Sequence, residues 1–424
     1  MPAPLIRGLV LAAASAPALS ACATTASTTG SSTSSDEAIT AKTVGEKPAD
    51  DATRIKADAS AAQPTGDPVL IGQTGGLTGF MSIFDGPIKQ GMEFAIEDLN
   101  ASGGILGRPV ELVTTDNTSD VSKIQTAAEN LLEQGADVAV VSCDYDMGGP
   151  AAGTVNAKGI LAFGCAGADE FGFKDLGPLT YNVNSGTGAE GAAMADYLKA
   201  KGYTKPFLIT DQSLQFTQTL GETFTERAEE IGLELEGEED FQNSDASAAA
   251  QIAAIRQSQA DVVVVASYPP GGPTLLRQLR TAGVSQPVVA GSAFDGVYWL
   301  DTIKDPGDFS IVVATSLFGD DLSAARNEFF AGFEPATGMY PTFGYSMVQA
   351  FAPAAESAGS IETDAVRAAL DEFTDEQLLI GATTYTSECH IPTPRPYHVV
   401  SYAGGTAKVV DYATTVDIPG EQPC

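Results

Sequence analysis

Carboxylate side chains stand in two short segments that each follow an apolar run. Asp144 and Asp146 come directly after residues 138–142, and Asp169 follows residues 160–163. Neighbouring carboxylates can carry general acid–base chemistry, or they can accept charge-assisted hydrogen bonds from a ligand. We favour ligand recognition, because the groups that usually accompany hydrolytic catalysis are missing from the chain.

The chain has only two histidines, His390 and His398, and both lie in a proline-rich stretch near its end. It contains no G-x-S-x-G, H-E-x-x-H or phosphate-loop motif. It also lacks a C-x-x-C pair of the kind that binds zinc. We therefore expect a protein that is not an enzyme, with no catalytic residues, no cofactor and no metal.

One glycine motif has two interpretations. Gly186, Gly188 and Gly191 match G-x-G-x-x-G, and Asp211 follows 20 residues after the last glycine. This spacing occurs in dinucleotide-binding folds. The preceding residues 181–184 are too polar for a first central strand, however. The N-terminal residues also have the pattern of an export signal, and an exported chain has no nicotinamide pool. We interpret the motif as a crossover between lobes that leads into a helix.

Short apolar runs alternate with helical patterns along most of the chain, which predicts an α/β fold with parallel sheets. The pattern restarts near residue 207, so two lobes of similar build are expected. Residues 262–266 are apolar throughout, as in a central strand that is buried on both faces. Strands are predicted at 69–72, 110–115, 138–142, 160–163, 207–210, 262–266, 287–290 and 311–314, and helices at 87–100, 121–134, 217–231, 246–259, 273–283 and 344–357.

The first residues have the pattern of an export signal. Arg7 precedes an apolar stretch at 8–19, which is too short to span a membrane and ends in Leu-Ser-Ala-Cys at Cys22. This box resembles the bacterial lipobox, which implies a signal peptide at 1–21 and a lipidated Cys22. The alternative is an ordinary signal peptide with a chance cysteine. Residues 22–67 then have no apolar periodicity, and we predict that they form a disordered tether.

The charge balance excludes one class of partner. The chain has 55 acidic and 22 basic residues, for a net charge of −33. Nucleic acid binding needs clustered Lys and Arg, so we expect no nucleic acid partner, and we expect a monomer with a well-solvated acidic surface.

The chain has five cysteines. After Cys22 is set aside, four remain, and in an oxidising compartment these allow three pairings. We favour Cys143–Cys165, because these residues end consecutive predicted strands, and Cys389–Cys424, because both lie in the C-terminal tail.

Several segments resemble branched-chain amino acid-type solute-binding proteins of ABC importers, which have the type I periplasmic-binding fold. They are Leu77-Thr-Gly79, residues 100–113, Gly344-Tyr345 and residues 358–360, and the resemblance covers residues 68 to 411. It implies two Rossmann-like lobes with parallel sheets, joined by three crossover segments, with a ligand cleft between them. Lobe 1 would comprise 68–183 plus 319–377, and lobe 2 would comprise 184–318 plus 378–424.

Ligands of open parallel sheets bind at the carboxyl ends of the strands, so the loops that follow the strands should line the cleft. Aromatic residues there, including Phe294 and Trp299, would form apolar walls. The candidate ligand-binding residues are Phe84, Asp85, Asp144, Tyr145, Asp146, Ala166, Gly167, Asp169, Phe216, Tyr268, Ser292 and Asp295.

The resemblance also exposes a departure from the family. Amino-acid-binding members hold the ligand carboxylate with a Ser and a Thr, and hold the ammonium with an acid of the second lobe. Asp146 stands near that Ser, Ala168 near that Thr and Ser292 near that acid. A shift of one or two residues would instead assign the acid to Asp295 or Asp169. The cleft is therefore predicted to prefer cationic or amide-like solutes over simple carboxylic acids.

The resemblance implies a function at the outer face of the cell membrane. The chain would be the lipid-anchored solute-binding subunit of an ABC importer, with a small-molecule solute and a membrane permease as partners. The solute would be an amino acid, an amide or a related compound. A ligand-sensing lipoprotein that reports to a membrane receptor would use the same fold, and an exported enzyme is the third interpretation.

Replacing Cys22 with Ala should move the protein from the membrane to the soluble fraction, because the acylated sulfur would be lost. Fractionation of cells that express each form would measure this. Membrane retention that is unchanged in the Cys22→Ala variant would contradict lipidation.

Overall fold

The computed structural model describes residues 47–56, 58, 60–167, 176–303, 305–333, 337–392, 394–414 and 418–419. The predicted signal peptide, Cys22, Asp169 and Cys424 lie outside the described residues. Within them, every helix is too short or too polar to cross a membrane.

Strands and helices alternate through most of the described chain, as the apolar pattern predicts. The strands are β1 (Val69–Gly75), β2 (Val110–Asp116), β3 (Val138–Val141), β4 (Ala162–Gly164), β5 (Thr180–Asn182), β6 (Pro206–Asp211), β7 (Gly237–Phe241), β8 (Val262–Ala266), β9 (Val288–Ala290), β10 (Phe309–Val313), β11 (Glu376–Leu378), β12 (Gly381–Thr383), β13 (Tyr397–Ser401) and β14 (Lys408–Ala413). The helices are α1 (Ser82–Ala101), α2 (Ile124–Glu133), α3 (Tyr145–Asn156), α4 (Thr187–Ala200), α5 (Gln215–Glu230), α6 (Ala249–Gln257), α7 (Gly271–Thr281), α8 (Ala324–Ala331), α9 (Tyr340–Ala358) and α10 (Thr363–Leu370).

Two sheets form the cores of two lobes. In lobe 1 the strand order is β2-β1-β3-β4-β5, and every neighbouring pair is parallel. In lobe 2 the order is β14-β13-β10-β9-β8-β6-β7. The pairs β10–β13 and β13–β14 are antiparallel, so this sheet is mixed rather than wholly parallel. A mixed sheet arises here because the last two strands enter after a long excursion of the chain through lobe 1.

The chain passes between the lobes three times, after β5, after β10 and before β13. The hairpin of β11 and β12 stays with lobe 1, since Ile380 donates its N–H to Ser346 Oγ at 2.9 Å and Leu379 donates to Gln349 Oε1 at 2.7 Å. Lobe 1 therefore extends beyond residue 377, the boundary expected from the sequence.

The end of the predicted tether at 22–67 is docked on lobe 1. Arg54 forms an ion pair with Asp98 at 2.8 Å, and Asp50 pairs with the buried guanidinium of Arg326. We call residues 50–55 the docking arm. Ala52 is buried and Ile55 packs against the core of the domain. These two side chains are too few to give an apolar periodicity, so the sequence pattern predicted that the arm belongs to the tether.

Helices α1 and α9 approach each other closely enough that only glycine fits at two positions. A Cβ atom added to Gly91 would lie 1.9 Å from the carbonyl oxygen of Pro341, and one added to Gly344 would lie 2.0 Å from that of Ile88. The contact fixes the relative position of two helices whose first turns reach the cleft between the lobes.

Gly91→Ala and Gly344→Ala should each lower the free energy of unfolding by about 1–3 kcal/mol, because the added methyl group must push two backbones apart. Urea denaturation of the lipid-free mature chain would measure this. Gly153→Ala is the matched control, since Gly153 lies in α3 with open space around its Cβ position. That substitution should raise stability by about 0.5–1 kcal/mol. Equal effects at all three positions would contradict the proposed steric cause.

Candidate functional site

A cavity lies between the two lobes, where loops at the carboxyl ends of β3, β4, β6, β8 and β9 meet the first turns of α1 and α9. It encloses about 490 Å³ of space, which includes the part open to solvent. Its lining residues are Met81, Phe84, Cys143, Asp144, Cys165, Gly167, Asn184, Leu214, Phe216, Tyr268, Ser292, Ala293, Met339, Tyr340 and Phe343.

Aromatic rings form much of the cavity wall. Phe84 of α1 and Tyr340 of α9 meet edge to face, with their ring centroids 5.0 Å apart. Phe80 of lobe 1 lies 6.4 Å from Tyr268 of lobe 2, so this pair of rings spans the two lobes. An apolar wall with a few polar groups is typical of small-molecule sites.

Beside the cavity, carboxylates of each lobe accept backbone N–H groups of the other. The carboxylate of Asp146 in lobe 1 accepts the N–H of Gln215, at the start of α5 in lobe 2, at 3.0 Å. In the opposite direction, Asp295 of lobe 2 accepts the N–H of Met339 in lobe 1 at 2.7 Å. These bonds hold the two lobes together on either side of the cavity.

Asp85 organises the loop after β3 rather than facing the cavity. Its carboxylate accepts Ser142 Oγ at 2.7 Å, the N–H of Cys143 at 3.1 Å and the N–H of Gly76 at 2.8 Å. Burial raises the pKa of Asp85 to about 6, although these three hydrogen bonds favour the ionised form. Asp85 therefore holds in place the loop that carries Asp144.

Asp144 begins α3 and also lines the cavity. Its Oδ1 accepts the N–H of Met147 at 3.2 Å, which is the N-cap interaction of a helix start. Burial, followed by the nearby negative charge of Asp146, raises the pKa of Asp144 to about 7. The cavity thus has a carboxyl group that changes charge near neutral pH.

The structure brings in one acid that the sequence analysis missed. Glu190 of α4 is 3 % exposed, and its two oxygens accept the N–H of Ser292 at 2.6 Å and the hydroxyl of Ser292 at 2.8 Å. Burial raises the pKa of Glu190 to about 7. Glu190 lies inside the G-x-G-x-x-G segment, and the signal for it was an acid among small residues in a helix buried from Thr187 to Leu198.

The predicted site residues divide into those at the cavity and those away from it. Phe84, Asp144, Gly167, Phe216, Tyr268 and Ser292 line the cavity. Asp85, Tyr145, Asp146, Ala166 and Asp295 do not, and Asp169 lies outside the described residues. Phe294 and Trp299 pack against each other at 5.9 Å within lobe 2 rather than on the cavity wall. Neighbouring positions in a loop or first helical turn point in different directions, which the sequence does not specify.

The favoured cysteine pair is close to this site. Cys143 and Cys165 form a disulfide between the loops after β3 and β4, with their Cα atoms 4.7 Å apart. Both residues line the cavity, so the bond fixes the loops that carry Asp144 and Gly167. The Cys389–Cys424 pairing includes a residue outside the described part of the chain and stays a prediction.

Comparisons with known proteins agree on one family. The family model described as "Periplasmic binding protein" matches residues 68–406. The Leu/Ile/Val-binding protein homolog 1 of Brucella abortus is 23% identical over 328 residues, which cover 75% of this chain and 86% of the relative. The amino acid binding protein of Pseudomonas aeruginosa is 26% identical over 313 residues, which cover 69% and 79%.

Solved structures show the same fold. LivJ of Streptococcus pneumoniae, solved with isoleucine, has a TM-score of 0.72 at 17% identity and covers 82% of this chain and 99% of its own. A solute-binding protein of Rhodopseudomonas palustris, solved with benzoate, has a TM-score of 0.71 at 17% identity, with 82% and 98% covered. At these identities the likeness concerns the fold alone.

Glu190→Gln should remove part of the pH dependence of stability. A carboxyl group with a raised folded-state pKa stabilises the fold fully when protonated and loses that contribution as the pH rises through the raised value. Between pH 5 and pH 8 the native chain should therefore lose up to about 3 kcal/mol relative to the variant. The glutamine can still accept the Ser292 N–H and can donate to the Ser292 hydroxyl.

Urea denaturation of both chains at pH 5 and pH 8 would measure this difference. Glu222→Gln, an exposed position on α5, is the control and should retain the native pH dependence. Parallel pH profiles for the native chain and Glu190→Gln would refute the role assigned to burial.

Proposed function

Because the chain belongs to the periplasmic binding protein family and is of the branched-chain amino acid type, we propose that it is the extracytoplasmic solute-binding subunit of an ABC importer. It captures a small polar solute by closure of its two lobes and presents it to a permease in the membrane.

The observation that carries the proposal is the interlobe cavity with its aromatic walls and few polar groups. Phe216 and Tyr268 from lobe 2 face Phe84 and Tyr340 from lobe 1, so a bound solute would contact both lobes at once. A solute that adds contacts only in the closed form shifts the equilibrium between open and closed forms by its differential affinity. Closure would thereby report occupancy to a membrane partner.

The hydrogen bonds between the lobes suit such an equilibrium. When the cleft opens, the bonds from Gln215 to Asp146 and from Met339 to Asp295 would be replaced by hydrogen bonds to water. A hydrogen bond to a charged group contributes about 1.5–3 kcal/mol net. Two such bonds would bias the lobes toward closure, and the solute would supply the remainder.

The docking arm supports a defined attachment to the membrane. The ion pairs of Asp50 and Arg54 with lobe 1 fix where the chain enters the folded domain. With a lipid on Cys22, the anchor would therefore act on lobe 1, while lobe 2 would move relative to it. The proposal thus includes a lipid anchor on Cys22 at the outer face of the cell membrane.

Tyr268→Ala and Phe216→Ala should each weaken solute binding about 10–100-fold, because each removes apolar surface that a bound solute would bury. The solute would first be identified by mass spectrometry of compounds released on denaturing the natively purified protein. Calorimetry on the lipid-free mature chain would then give the affinities. Val410→Ala, which shortens an exposed apolar side chain, should leave the affinity unchanged.

Four further measurements test closure and separate the alternative functions. Small-angle scattering should show a more compact particle with solute, and the loaded protein should stimulate ATP hydrolysis by its permease. Conversion of the solute to a product would identify an enzyme. Tight binding with closure and no response of a permease, together with activation of a membrane receptor, would identify a sensor.

A further inference from the structure

We infer that the solute is a small organic cation, with an ammonium or guanidinium group on an apolar body and no free carboxylate, and that Asp144 is the residue that selects it. The inference rests on the proposed function and names the class of solute that the same cavity would take.

The charge around the cavity is one-sided. Among the described residues that line it, Asp144 is the one carboxyl group, and none is Lys, Arg or His. Asp85 and Asp146 lie close enough for their charges to raise the pKa of Asp144. A solute carboxylate would meet like charges in a partly desolvated space, where repulsion is stronger than in water. A cation would instead complement them.

Several hydrogen-bond donors beside the cavity are already bonded within the protein. Ser292 donates both its N–H and its hydroxyl to Glu190, and Met339 donates its N–H to Asp295. Tyr340 donates its hydroxyl to the carbonyl oxygen of Ser292 at 3.4 Å.

Further donors beside the cavity follow the same pattern. Gln215 donates its N–H to Asp146, and Cys143 donates its N–H to Asp85. Asn184 donates one amide hydrogen to the carbonyl oxygen of Cys165 at 3.2 Å. The side-chain donors that remain on the described wall, the second amide hydrogen of Asn184 and the hydroxyl of Tyr268, are uncharged. The one charged side chain on this described wall, that of Asp144, is therefore an acceptor, which favours a solute that carries N–H groups.

Asp144 is suited to be the acceptor for such a group. Its Oδ1 caps α3 through the N–H of Met147, and a carboxylate has further lone pairs for a second donor. The surrounding rings of Phe84, Phe216 and Tyr340 would bury the apolar body, and aromatic faces also attract cations. The selection thus combines a charge-assisted hydrogen bond with an aromatic enclosure.

A matched series of solutes tests the inference by calorimetry on the lipid-free mature chain. The series comprises 3-methylbutylamine, leucinamide, leucine and 4-methylpentanoate, with 2-phenylethylamine, phenylguanidine and 3-phenylpropionate for a larger body. The cationic compounds should bind at least about tenfold more tightly than the matched acids, as expected for one charge-assisted hydrogen bond. Acids that bind as tightly as the matched cations would overturn the inference and leave the proposed function standing. A panel in which no compound binds would overturn the proposed function itself.

Asp144→Asn separates charge from structure, because asparagine also caps helices well. At pH 8 it should weaken binding of the cationic solutes at least tenfold and should not weaken binding of the acids. Glu222→Gln removes one exposed carboxylate from α5 and should change the affinities less than about twofold, since exposed charges are screened. An Asp144→Asn variant with native affinity for the cations would overturn the assignment.

The pH profile of the native protein gives a test that needs no variant. Asp85 of α1, Asp146 of α3 and Tyr268 of lobe 2 interact electrostatically with Asp144, and Glu190 titrates in the same range behind Ser292. Affinity for an amine should fall about tenfold per pH unit below pH 7, as Asp144 becomes protonated. If the affinity of the Glu190→Gln variant falls in the same way, the pH dependence belongs to Asp144. Affinity that does not depend on pH between 5.5 and 8 would refute the role of Asp144.

Discussion

Hydrogen bonds from backbone N–H groups to buried and half-buried carboxylates hold the cleft together. Asp85, Asp144 and Asp146 accept such bonds in and from lobe 1, and Glu190 and Asp295 do so from lobe 2. The first N–H groups of a helix have no backbone partners, and negative charge is favoured at the N-terminus of a helix. The same bonds therefore complete the helices, position the loops after the strands and join the two lobes.

This arrangement has an electrostatic cost. Burial raises the pKa of Asp144, Glu190 and Asp295 to about 7, so ionised forms are disfavoured where the fold most needs acceptors. Perturbed carboxyl groups concentrated around one cavity are typical of functional sites. In the family to which the chain belongs, relatives carry names that refer to amino acids, yet the wall of this cavity is built mainly of acceptors.

The apolar pattern predicted the fold well where strands are buried on both faces, and residues 262–266 coincide with β8. It missed β7, because this edge strand reads Gly-Glu-Glu-Asp-Phe and only its last residue is buried. The cavity was predicted in outline from the loops after the strands. Asp144 and Asp146 differ in role because they are about half a helical turn apart and so point in different directions. Glu190 meets Ser292 only through the tertiary fold. Spacing along the chain could therefore assign neither contact.

The docking arm shows that the folded domain begins before the residues matched by the family model. Arg326 is buried with carboxylates on both sides, Asp321 from its own segment and Asp50 from the arm. A recombinant chain that starts at residue 68, where the family match begins, would leave this guanidinium with one counter-charge. It would also remove Arg54, the ion-pair partner of Asp98. Truncations for crystallography or ligand assays should accordingly begin upstream of residue 50.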